Sequence, residues 1–137
     1  MSTSKIISLI KAYVGDWAAK YNFPVEYSNI EFTDTESMYL QCHVMPAATD
    51  NIGLALDMQI YRGIVQVNIV TKAGRGEAEA LSISEQLCNL LKNGYEIVDD
   101  DFKVYFNGEP TVYPGIQNHV HYVIPVSVPY RADVNVN

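Results

Sequence analysis

The chain has 137 residues, 48% apolar and 18% charged, which is one domain's worth of sequence with enough core to fold without disulfides or a metal. That composition excludes a disordered or collagen-like chain, and no apolar run approaches the ~20 residues that span a bilayer. Nine Lys and Arg against sixteen Asp and Glu leave a net charge of −7 with no basic cluster, so a surface that displaces phosphate counterions is missing and direct nucleic-acid binding is disfavoured. The N-terminus lacks the continuous apolar stretch of a signal peptide. Cys42 and Cys88 stand far apart in no ligand-like spacing, which points to a reducing compartment rather than a disulfide framework.

Ser4 to Tyr21 is expected as an amphipathic helix. Ile6, Ile10, Tyr13, Val14, Trp17 and Tyr21 recur at steps of three and four, Ser2, Thr3 or Ser4 can cap its start, and Asn22 with Pro24 ends it. Val25 to Phe32 is extended, and Thr33–Ser37 is a polar turn. Met38, Leu40, Cys42 and Val44 then alternate with Tyr39, Gln41 and His43 at strand period, Pro46 stops the strand, and Ala47–Asn51 is a loop. Leu54, Leu56, Met58 and Ile60 form one alternating set, and Val65, Val67 and Ile69 another. Arg62–Gly63 between them predicts a hairpin turn, glycine supplying a positive φ.

Lys72–Gly76 breaks the pattern, and a second helix follows from Glu77 to Lys92. Its buried face is Ala80, Leu81, Ser84, Leu87, Cys88 and Leu91, with Gly94 as its C′ residue. Tyr95–Val98 and Phe102–Phe106 are short strands around Asp99–Asp101, and Asn107–Asn118 is a loop. His119 to Tyr130 alternates again. Pro125 and Pro129 share one parity, so both missing N–H groups face one side, the pattern of an edge strand or of one bent away from pairing. Residues 132–137 are expected as a flexible polar tail. The order α-β-β-β-β-α-β-β-β is an α+β plan, a mostly antiparallel sheet with two helices packed on it in one domain over residues 1–137.

Few constellations carry chemistry. Gly74–Arg75–Gly76 lies where backbone amides can hold a phosphate, but the dinucleotide and P-loop fingerprints are incomplete, and Glu77 and Glu79 repel an anion there. The bland reading, a tight strand-to-helix connection, is favoured. His119 and His121 share a strand face, whereas Cys42 and His43 alternate to opposite faces, so neither pair makes a four-ligand metal site. Asp99–Asp101 lacks the alternate spacing and mid-loop glycine of a calcium loop and reads as a solvated turn. No nucleophile elbow or carboxylate pair stands out, so catalytic, cofactor-binding and metal-binding residues are all assigned as none. The ten tyrosines, among them Tyr39, Tyr61, Tyr113, Tyr122 and Tyr130, fit either protein interfaces or simple strand propensity.

The ordered segments carry a resemblance. A leading helix with Trp17 precedes Tyr27-Ser-Asn-Ile-Glu-Phe32 and Tyr39-Leu-Gln-Cys-His-Val44. Tyr61-Arg-Gly-Ile-Val-Gln-Val-Asn-Ile-Val70 then leads to Lys72-Ala-Gly-Arg-Gly76 opening a helix, and Tyr122-Val-Ile-Pro-Val-Ser-Val-Pro-Tyr130 closes the pattern. Nearly the whole chain resembles the tail terminator, or tail completion, proteins of long-tailed bacteriophages and prophages. The resemblance implies a structural virion protein, not an enzyme. It implies a ring, usually a hexamer, on the head-proximal end of the tail tube, which stops tube growth and offers a surface to the head–neck connector. Its implied partners are thus copies of itself, the tube protein and the connector, with genome DNA passing through the hole and no membrane. The implied location is the virion tail, reached from the host cytoplasm during assembly.

Charge agrees with that picture, because an acidic ring lets DNA slide without sticking, and its self-repulsion is eased by salt or Mg²⁺. The regions expected to meet partners are Met45–Ile52, Asp99–Asp101 and Asn107–Asn118, since loops projecting from a rigid sheet carry contacts. The alternatives are another head–tail connector protein, or a small phosphate-ligand enzyme using Gly74–Gly76 with His119 and His121 as proton carriers.

Overall fold

The computed structural model describes residues 3–27, 38–47, 50–52, 58–72, 77–99, 102–117 and 121–135. In chain order these form α1 (Thr3–Lys20), β1 (Val25–Tyr27), β2 (Tyr39–Pro46), β3 (Asp50–Ile52), β4 (Met58–Lys72), α2 (Glu77–Leu90), β5 (Glu96–Asp99), β6 (Phe102–Phe106), β7 (Thr111–Val112), β8 (Ile116–Gln117) and β9 (His121–Asn135). The fold is α+β: the strands make one sheet in the order β1-β2-β4-β9-β6-β5, with β3 on β4 and with β7 and β8 on β9. Every pairing is antiparallel except β1 with β2.

The sheet is organised by β4 and β9, which pair over fifteen residues without a break, from Met58↔Asn135 to Lys72↔His121. Such a ladder is roughly 50 Å long, against roughly 27 Å for α1. Alternation sends Val65, Val67 and Ile69 of β4, and Ile124, Val126, Val128, Tyr130 and Ala132 of β9, to one face. There they meet Leu40 and Cys42, Val104 and Phe106, and the stripes Ile6–Ile10–Val14–Ala18 of α1 and Ala80–Ile83–Leu87–Leu91 around α2. Leu81, expected in the core, is instead 44% exposed, while Ile83 takes the buried place.

Several local expectations change. Arg62–Gly63 is not a turn, because β4 runs straight through it, Gly63 lying opposite both Pro46 and Tyr130. Glycine is required there by close approach: a Cβ would strike the Met45 carbonyl and come within 2.7 Å of the Tyr130 ring and hydroxyl. Next, β9 is central rather than an edge strand, and it continues through residues 132–135, which are not a tail. The prolines are tolerated because of where they face. The carbonyls of Pro125 and Pro129 accept from the Tyr113 and Asn107 amides at 2.9 and 3.1 Å. A strand residue turns its N–H and C=O to the same side, so both missing donors lie toward the short interrupted strands and away from the β4 ladder. Finally, 107–117 is not a bare loop: it carries β7 and β8. The expected loop after Pro46 likewise holds β3 from Asp50, and the Thr33–Ser37 turn lies outside the described residues.

Both helices end in turns that the sequence writes. After α1 the Phe23 amide donates to the Ala18 carbonyl at 2.8 Å and the Asn22 amide to the Ala19 carbonyl at 3.2 Å, with Asn22 at φ 60°. This is a Schellman motif with asparagine in the left-handed position, closed by the Trp17 and Phe23 rings 5.4 Å apart. After α2, Gly94 is not the C′ residue but the third residue of a turn closed by the Tyr95 amide on the Lys92 carbonyl, at φ 83°. The Tyr13 hydroxyl donates to the Leu90 carbonyl at 2.9 Å, and its ring stacks on Tyr95 at 5.2 Å, tying α1 to this corner.

Gly63→Ala is expected to cost about 2 kcal/mol of stability through overpacking against Tyr130, and Gly63→Asn at least as much, whereas a turn would accept asparagine; urea unfolding of the three chains decides it. Asn22→Gly is expected to hold or raise the melting temperature, and Asn22→Val to lower stability by about 1–2 kcal/mol, since a β-branched residue resists positive φ.

Candidate functional site

The described residues among those singled out for chemistry do not gather at one place. Gly74–Gly76 and His119 lie outside the described residues, as do Asp100 and Asp101. At the start of α2, Glu77 accepts a hydrogen bond from the Tyr122 hydroxyl at 3.2 Å. His121 sits at the start of β9 opposite Lys72, its ring edge-on to Tyr39 at 6.2 Å. Cys42 is fully buried on the helix side, while His43 lies on the other face opposite Gln66, as alternation requires. Asp99 faces a shallow groove along α1 lined by Ser4, Lys5, Ser8, Leu9 and Ala12. Among the described residues, no group of three or more His, Cys, Asp or Glu could hold a metal ion. No helix of the described residues is long and apolar enough to cross a membrane.

The surface is more informative, and its most ordered part is the sheet face turned away from the helices. Cross-strand partners share a face, so the register aligns Gln41–Asn68–Pro125, His43–Gln66–Ser127 and Met45–Ile64–Pro129 as successive rows. Gln66 Nε2 donates to Asn68 Oδ1 at 2.9 Å, and Asn68 Nδ2 to Gln41 Oε1 at 3.2 Å, so polar groups on three neighbouring positions satisfy one another. Tyr39 and Val70 at one end and Ile60 at the other are buried, but Met45 and Ile64 in between are 45% and 46% exposed.

Beside that apolar pair, Arg62 and Arg131 stand directly opposite each other, two of the chain's three arginines. Like charges placed so repel, and Arg131 is offset by Asp133, whose carboxylate accepts from its Nε at 2.7 Å. Lys72 and Lys103 lie on the same face, Lys103 paired with Glu96 at 3.1 Å. On the helix side α2 carries Glu77, Glu79 and Glu85 and no basic residue, whereas α1 beside it carries Lys5, Lys11 and Lys20 against Asp16. Glu77, Leu81 and Glu85 fall four residues apart, on one exposed row of α2.

Of the expected contact regions, Met45–Ile52 presents exposed Met45 at the end of β2. Residues 107–117 present Val112, Tyr113 and Ile116, the last 63% exposed. Of the five tyrosines named from the sequence, Tyr39 and Tyr130 are core, Tyr61 and Tyr122 half-buried and Tyr113 exposed; Tyr21 and Tyr95 are exposed as well. Ile64, Leu81 and Val98 escaped sequence reasoning, since each sits in a strand or helix pattern that equally describes a core residue. The signal available for Ile64 was parity with Arg62 and Gln66, which marks the solvent side of that strand.

Comparison with known proteins adds a family and a shared fold. A family model described as a phage tail terminator protein matches residues 5–130. A solved protein structure superposes with a TM-score of 0.81 at 27% sequence identity, covering 96% of this chain and 96% of its own. No curated protein has a matching sequence.

The thiols provide a check on the core. Burial pushes Cys42 from 9.0 up to about 11, with Lys11 pulling weakly the other way. Burial also raises Tyr130, and it raises Tyr13, which Tyr95 raises further. Groups kept protonated by the fold release their protons first in the unfolded chain. Stability is therefore full below about pH 9 and falls as pH climbs to about 11, the Cys42 share amounting to about 2 kcal/mol. The urea midpoint is expected to drop over that range, less steeply in Cys42→Ala, and at neutral pH half-buried Cys88 is expected to take maleimide well before Cys42.

Proposed function

Because the chain belongs to the phage tail terminator family, we propose that it acts as a shaped building block, forming a ring of copies on the head-proximal end of a tail tube. There it stops the tube from growing and presents a surface to the neck. The family is a structural phage tail family, and the match runs through both helices and into β9. The observation that carries the reading is this match over residues 5–130, and the shared architecture of the solved relative supports it. We take six copies as the expected closure, with the tube protein and a head–neck connector as neighbours and no bond made or broken.

The physical chemistry favours the same picture. Each copy brings a charge of −7, so a ring of copies is strongly acidic as a whole. Phosphate backbones are repelled from such a ring, which leaves DNA free to move through it. The mutual repulsion of copies weakens closure at low ionic strength, and salt or Mg²⁺ screens it. Exposed Met45, Ile64, Val112, Tyr113 and Ile116 provide apolar contact area on a chain that is acidic overall.

The mass of the purified protein in solution, measured against concentration, is expected to shift from monomer toward a six-fold species as salt or Mg²⁺ rises. Added below stoichiometry to polymerising tube protein from the same phage, it is expected to shorten the tubes and to appear at one end only under the electron microscope. A chain that stays monomeric throughout and leaves tube length unchanged overturns the reading.

A further inference from the structure

The two layers of the domain carry complementary surfaces on opposite sides. On the sheet side, Met45 and Ile64 form an exposed apolar pair beside Arg62 and Arg131. On the helix side, exposed Leu81 sits between Glu77 and Glu85 along α2. Leu81 is roughly 6 Å along the helix axis from each carboxylate-bearing residue. Ile64 is roughly 6.6 Å along its strand from Arg62, and Arg131 stands one strand over. The two patterns are complementary in sign at one end: both arginines occupy the single row beside Ile64, one step from the aliphatic pair, as each glutamate is one step from Leu81, so one glutamate of the row can meet the arginines while Leu81 meets Met45 and Ile64.

We propose that these faces meet between copies, the Met45–Ile64 and Arg62–Arg131 patch of one copy receiving the Glu77–Leu81–Glu85 row of the next. This rests on the ring reading and specifies its contact. The occupant is a second copy because the chain itself supplies the complement: an acidic helix face with an aliphatic centre and no basic residue on the helix. A nucleic-acid occupant fits poorly, since two arginines, one of them bonded to Asp133, are a small footprint on a chain of net charge −7. Contacting patches of different identity on opposite sides of one domain make a head-to-tail contact, which closes into a ring when the rotation per copy permits. Salt acts on the two charge terms unequally. It screens repulsion between charges farther apart than roughly 10 Å at 0.1 M, while a contact pair shielded from solvent is screened much less.

The test is a charge exchange read by sedimentation of the full chain at moderate salt. Arg62→Glu and Glu85→Arg are each expected to weaken self-association roughly tenfold or more, and the chain carrying both to recover most of the loss. Lys20→Glu, at the end of α1, changes the net charge by as much as Arg62→Glu and is expected to leave association within about twofold. Circular dichroism melting of each variant confirms that the fold is intact. If the unaltered protein assembles and Arg62→Glu assembles equally well, or the double exchange recovers nothing, this contact is wrong while the ring reading stands. If the unaltered protein never associates, with or without tube protein, both fall.

Discussion

The unbroken pairing of β4 with β9 is the constraint on which the rest of the molecule depends. Fifteen residues of each strand are held in one register, and each of the other strands except β1 and β5 pairs with one of the two. Side chains alternate between faces, so a slip by one residue would carry Val65, Val67, Ile69 and their partners out of the core and bring Gln66, Asn68 and Arg62 into it. Burial of that whole set makes the register costly to change. Gly63 and Tyr130 mark the tightest point of the ladder, where the backbone lies against an aromatic ring with no room for a side chain.

The same register arranges the surface. Because the two helices cover one face only, the other face presents its rows of cross-strand partners to the outside: polar groups bonded to one another, then Met45 and Ile64, then the two arginines. The helix layer turns out the acidic row of α2. A domain built this way presents a pair of arginines on one side and an acidic helix on the other, although its total charge is strongly negative. That is the property a subunit needs if it is to recognise the back of its neighbour, and it requires no pocket and no reactive group.

Membership of the tail terminator family sits naturally with a molecule of this kind. Its cysteines are held in or against the core and lie well above neutral pH in their ionisation, Cys42 by burial and Cys88 by burial and the nearby Glu85. The two histidines among the described residues, His43 and His121, stand on β2 and at the start of β9. What the fold offers in quantity is exposed apolar area set in charged surroundings. The proposed ring and the proposed contact between copies both follow from that distribution.

Much of this was legible in the residues themselves. The stripes of α1, the period-two alternation of β2, β4 and β9, the side to which Pro125 and Pro129 turn, and the family pattern are local, and local periodicity is what a linear string records. Glycine at position 63 was legible too, but not its reason: a turn and a close approach call for the same residue, and only the position of Tyr130, far along the chain, separates them. The place of β9 at the centre of the sheet, its continuation through Ala132 to Asn135, and the placing of Arg62 and Arg131 on the side away from the acidic α2 were decided by tertiary structure. Each depends on which strands lie side by side, and that is fixed by burial summed over residues distant in sequence rather than by any neighbouring residue.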